Sequence, residues 1–118
     1  VAELHEFFEG GRIELRTDLL EVVVDGRFYQ VPMLPMAYLA ALLRARGAAV
    51  TIDRLKHIAE QHRFHRRLDA IHHTDNSLRM TIFNLKKHVA GSPLRITNER
   101  GVGYRLHLEP AAAVARAA

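Results

Sequence analysis

The residues best equipped for recognition lie in NSLRMTIFNLKKHV, residues 76–89, and in ITNERGVGYRL, residues 96–106. Asn84 carries a carboxamide, which can pair bidentately with the acceptor–donor edge of adenine in a major groove, the alternative being a solvent-exposed amide with no ligand. Lys86 and Lys87 supply point charges suited to phosphate, a contact that positions a ligand without specifying its sequence. Phe83 is open to two roles: contact with a thymine methyl, or half-burial against a neighbouring loop. Arg100 stands in a glycine-bearing turn between two β-rich runs, where the backbone is thin and the charge is presented at a tip.

Covalent and metal chemistry find much less support. Ser77 and Ser92 are the only serines, one at a helix start and one in a turn, and neither has a base paired with it by any recognisable spacing. RGVG is followed by no helix, so it does not cradle phosphate as a nucleotide-binding glycine loop does. The histidine pairs His62/His65 and His72/His73 lack the i, i+4 spacing of a helical metal site, and no cysteine assists them. The expectation is a non-enzyme with no metal and no cofactor. Arg63, Arg66 and Arg67 with His62 and His65 form a basic cluster whose role stays open. It suits a brace on a DNA backbone, a partner-protein contact or a solvated loop.

Charge is distributed unevenly. Residues 1–53 carry 5 Lys/Arg against 8 Asp/Glu, a net of −3, whereas residues 54–118 carry 12 against 5, a net of +7. A basic half beside an acidic half points to one surface built for a polyanion, with a solvated basic face as the alternative. An apolar share of 48% in 118 residues is enough for one compact, cored domain. No apolar run approaches the ~18 residues of a membrane span, and no signal-peptide pattern opens the chain. The chain opens on Val1 rather than methionine, as a fragment of a longer protein would.

The elements that must hold these residues follow from periodicity. Ile13 and Leu15 alternate with Arg12, Glu14 and Arg16, and Asp25-Gly26 separates two β-rich runs, a strong hairpin signal. Residues 4–32 are therefore expected to form a small antiparallel sheet, with Leu4 to Phe8 as a further strand. Pro35 suits the first turn of a helix whose stripe is Leu39, Leu42 and Leu43 and which Gly47 ends. Thr51 is a cap for a second helix with Leu55, Ile58 and Ala59 inward. Residues 61–75 break the pattern and are expected to form a long basic connection.

In the third helix Leu78, Ile82, Leu85 and Val89 make one stripe. On ~100° spacing from Leu78, Phe83, Lys87, Met80 and Asn84 fall between ~140° and ~240°, on the far side. Two β runs, 94–97 and 103–108, close the domain, joined by residues 98–102. Residues 1–11 are expected to be a strand or linker, and residues 109–118 a flexible alanine-rich tail.

With that order in place, RGVGYRL resembles the wing of the winged-helix effector domain of OmpR/PhoB-family bacterial response regulators. DGRFYQVPMLPMAYLAALL, AVTIDRL and NSLRMTIFNLKKHV resemble, in order, its strand-to-helix junction, second helix and recognition helix. The similarity spans residues 12–108. It implies an α+β fold: a winged helix-turn-helix with an N-terminal antiparallel sheet, three helices and a C-terminal β-hairpin wing. It implies a cytoplasmic transcription regulator of a two-component system that binds double-stranded DNA and self-associates in tandem. The positions the family uses against DNA fall here on Asn76, Arg79, Met80, Thr81, Phe83, Asn84, Lys86 and Lys87 of the recognition helix, and on Asn98 and Arg100 of the wing. Arg63, His65, Arg66 and Arg67 fall on the loop that meets RNA polymerase in the family. The rival expectation is a winged helix that has exchanged DNA for a protein partner, which outward Met80 and Phe83 would suit.

Overall fold

A computed structural model of the chain describes residues 5–64 and 75–109. Four short strands, β1 (His5–Phe8), β2 (Ile13–Arg16), β3 (Glu21–Val24) and β4 (Arg27–Gln30), form an antiparallel sheet in sequence order. Alternation decides which side faces inward: Ile13, Leu15, Val22 and Val24 are buried. Leu15 lies opposite Val22, and Ile13 opposite Val24 and Phe8. Phe8 joins the same core, so β1 is an integral strand of the domain. The β3–β4 turn takes positive φ at both Asp25 (49°) and Gly26 (83°), the conformation that a two-residue hairpin loop requires. The Asp25 carboxylate accepts two hydrogen bonds from the Arg12 guanidinium, at 2.8 and 2.7 Å, which ties this turn to the start of β2.

Helix α1 (Met33–Arg44) begins after Pro32, which supplies no side-chain cap. Pro35 falls in the first turn, where an absent N–H leaves no bond unmade. Its buried set includes Met36, Tyr38 and Ala40 as well as the expected leucines. The reason is tertiary: α1 packs against two other helices and a C-terminal strand, and so has little exposed circumference. The helix stops at Arg44, earlier than Gly47, because Arg46 already turns left-handed with φ 48°.

A two-residue strand, β5 (Val50–Thr51), leads into α2 (Ile52–Phe64). The Thr51 hydroxyl oxygen accepts from the Arg54 backbone N–H at 3.1 Å, the expected N-cap. Leu55 and Ala59 are fully buried, with Ile58 packed against the core. Residues 61–64 are helical rather than part of the connection, since neither glycine nor proline interrupts the backbone hydrogen bonds there. Helix α3 (Asp75–His88) buries Leu78, Ile82 and Leu85, and Val89 just beyond it is buried too. Burying each is worth about 1.5–3 kcal/mol, so this stripe fixes the rotation of the helix. Gly91, at φ 88°, ends the turn that follows. Ser92 is buried but satisfied: its hydroxyl donates to the Val89 carbonyl at 2.6 Å and accepts from Leu94 N–H at 3.2 Å.

Strands β6 (Leu94–Glu99) and β7 (Gly103–Leu108) form the last hairpin, and β5 pairs with β7 to make a second sheet of order β5-β7-β6. Asn98 and Glu99 belong to β6, opposite Tyr104 and Gly103, rather than to the turn. The turn is thereby shortened to Arg100-Gly101-Val102 and closed by Val102 N–H on the Glu99 carbonyl at 2.9 Å. The fold is α+β, with both sheets and all three helices contributing to one core. Among the described residues no helix is long and apolar enough to cross a membrane.

Candidate nucleic-acid interface

The buried stripe of α3 forces its other side outward. Asn76, Arg79, Met80, Phe83, Asn84, Lys86 and Lys87 are all exposed. Met80 and Phe83 retain 51% and 50% of their surface, and residues 65–74 of the connection expected to cover Phe83 lie outside the described residues. The Lys87 ammonium lies over the Phe83 ring, 4.7 Å from its centroid, a cation–π contact one helical turn along. Thr81 differs from its neighbours. It is half-buried, and its hydroxyl donates to the Ser77 carbonyl at 3.0 Å, so it has no free donor for an external ligand.

The hairpin tip is anchored from behind. Ile52, the first residue of α2, donates its backbone N–H to the Val102 carbonyl at 3.1 Å. Gly103 meets β5 so closely that a Cβ there would lie 1.9 Å from the Val50 carbonyl oxygen. The glycine therefore serves close approach within the protein, while Gly101, with φ 78° and open space around it, serves the turn itself. Arg100 at the tip and Asn98 on β6 are exposed. The Glu99 carboxylate lies 3.1 Å from Arg105 Nε on the neighbouring strand and so does not stand as a free charge beside Arg100.

The electrostatics of the domain are sorted by pairing. Around the N-terminal sheet three arginines are matched: Arg12 with Asp25, Arg16 with Glu14 and Glu21, and Arg44 at the end of α1 with Glu6; Arg27 on β4 has no acidic partner among the described residues. Hydrogen bonds from these guanidinium groups hold the Asp25, Glu14 and Glu6 carboxyls below their usual range. In the C-terminal sheet Arg95 is matched by Glu109 at 3.0 Å. Arg79, Lys86 and Arg100, by contrast, have no acidic partner among the described residues. Arg54 is a further such cation, in the first turn of α2 two residues after Ile52, which holds the hairpin tip. It lacked any signal in the sequence beyond its place three residues after the cap. Lys86 also lines a shallow cleft with Leu94, Arg95 and Ile96, which puts that flank of α3 beside β6.

Of the basic connection, Arg63 falls in the last turns of α2 with its side chain outside the described residues, as are His65, Arg66 and Arg67 altogether. The tail from Pro110 is outside them as well. What the described surface offers is a convex helix bearing amides, two half-exposed apolar side chains and uncompensated cations, with a narrow cationic tip on the adjoining hairpin. A helix of ordinary diameter fits a major groove about 12 Å wide, and its unmatched cations suit phosphate. No protein-family model matches the chain, and no curated protein matches it.

Proposed function

We propose that this domain binds double-stranded DNA sequence-specifically as a transcription regulator of the winged-helix type, with α3 in the major groove and the β6–β7 tip in the minor groove. One observation carries the reading. Asp25, Glu14, Glu21 and Glu6 are taken up by Arg12, Arg16 and Arg44, while Arg79, Lys86, Arg100 and Arg54 are left without acidic partners on α3, the hairpin tip and the start of α2. Several unmatched cations on α3, the adjoining hairpin tip and the start of α2 are what a polyanion surface needs. The sheet, three helices and C-terminal hairpin, in that order, support the resemblance to OmpR/PhoB-family effector domains. On that resemblance the domain acts in the cytoplasm, pairs head-to-tail on direct repeats and meets RNA polymerase through the loop containing Arg66 and Arg67.

The second reading, a module that docks a protein, draws on the exposure of Met80 and Phe83. The position of the Lys87 ammonium over the Phe83 ring favours DNA, because it sets a cation against the apolar patch. A salt titration separates the two. Binding to a duplex through several phosphate contacts falls linearly on a log–log plot against salt, by about 0.9 per phosphate neutralised. Affinity for duplex DNA no better than that of a neutral control protein, even at low salt, hands the surface to the protein-docking reading.

A further inference from the structure

The outward face of α3 has a composition more particular than duplex binding demands. From Leu78 at 0°, Phe83 lies near ~140°, Asn76 near ~160°, Met80 near ~200° and Asn84 near ~240°. These four exposed residues are two carboxamides and two half-exposed apolar side chains. Two of the three cations stand at one margin. Arg79 near ~100° and Lys86 near ~80° share a flank, and Lys86 on that flank faces β6 across the cleft. Lys87 is central in angle but sits in the last turn, with its ammonium over the Phe83 ring.

Base edges differ in what they ask for. Guanine presents two acceptors, N7 and O6, and is met most often by arginine or lysine. Adenine presents an acceptor beside a donor, the complement of a carboxamide, and thymine presents a methyl group, the complement of an apolar side chain. The centre of this face holds the second set and has no free cation for the first. Cations on the flank lie off the central line of the face, and the one in the last turn is held against the Phe83 ring, so they fall to phosphate, which positions without specifying.

We infer that the DNA beneath α3 is an A·T-rich half-site, with an adenine edge paired to Asn84 and thymine methyls packed on Met80 and Phe83. This rests on the duplex-DNA reading and names the sequence class it takes. Lys87 covers one face of the Phe83 ring, so the exposed remainder of that ring is the surface a methyl meets. Arg100 adds a preference of the same sign, since the minor groove of A·T tracts is narrow and more negative.

The test uses the whole chain against a random duplex pool, followed by affinity measurements on the recovered site with thymine replaced by deoxyuridine. That exchange removes the methyl and keeps the hydrogen-bonding edge. Recovered sites should be A·T-rich at the protected core. Each lost methyl that faces α3 should weaken binding about three- to fivefold. Phe83→Ala should weaken binding to the thymine site and bind thymine and uracil versions of its position equally; a variant that still prefers thymine there would overturn the role of the ring. Recovery of a G·C-rich core, recovery of the pool's own composition through salt-dependent binding, or indifference to deoxyuridine would overturn the inference and leave DNA binding standing. Binding no better than that of a neutral control protein would overturn both.

Discussion

The Glu99 carboxylate pairs with Arg105 Nε at 3.1 Å diagonally across the β6–β7 hairpin, one residue before the exposed Arg100. The pair therefore masks two charges at once, a repulsive one next to the tip and an attractive one on the neighbouring strand. Glu99→Gln should strengthen duplex binding at low salt about two- to fivefold and steepen the log–log salt slope by up to about 0.9, because Arg105 becomes free to meet phosphate. Arg105→Ala should do the reverse by releasing the Glu99 charge beside Arg100. Equal affinities for both variants and the parent would show that the hairpin tip does not touch DNA.

Asn84→Ala and Arg100→Ala should separate specificity from general affinity. Asn84 is exposed opposite the buried stripe, so its loss should leave the melting temperature unchanged. On the preferred site it should cost about 1–3 kcal/mol of binding and relax the preference at one base pair. Arg100→Ala should weaken binding to many sequences, most of all those flanked by A·T runs. An Asn84→Ala variant that loses affinity equally for every duplex would assign that residue to positioning rather than reading.

Gly103→Ala should destabilise the fold. The new methyl would fall 1.9 Å from the Val50 carbonyl oxygen, a backbone atom that cannot swing aside, so β7 must move off β5. The cost should be about 1–3 kcal/mol or more, read as a lowered urea midpoint. Gly101→Ala meets nothing within 4 Å and carries only the left-handed backbone penalty of about 1 kcal/mol. If the two variants melt together, the close approach of β5 and β7 is not what holds the hairpin.

Acid should loosen the domain through its N-terminal sheet. Hydrogen bonds from Arg44, Arg12 and Arg16 hold the Glu6, Asp25 and Glu14 carboxyls below their usual values. A carboxyl whose folded value is depressed stabilises fully above its unfolded value, near 4 for these groups, and that contribution disappears as pH falls through the folded value. The unfolding midpoint should stay level above about pH 5 and decline below pH 4 on that basis. Glu6→Gln combined with Asp25→Asn should flatten the decline, a comparison readily made by urea titration at several pH values.

Local signals determined much of this molecule from sequence alone. Asp25-Gly26 marked its hairpin because few residues tolerate positive φ twice in succession. The stripe Leu78, Ile82, Leu85, Val89 set the rotation of α3, and with it the outward placement of Met80, Phe83 and Asn84, because one helical period governs all of them. Thr51 announced its helix through a bond only three residues long.

Tertiary structure decided what depends on distant partners. The strand Val50–Thr51 is too short to carry a period and exists only because Tyr104 and Gly103 lie beside it. That pairing also gave Gly103 its role, which adjacent residues do not reveal. The sequence counts charges but cannot say which are spent. Glu6 and Arg44 are 38 residues apart and meet only when β1 lies near the end of α1. Such pairings, made by the packing of whole elements, leave Arg79, Lys86 and Arg100 unmatched among the described residues and so turn a net charge into a surface.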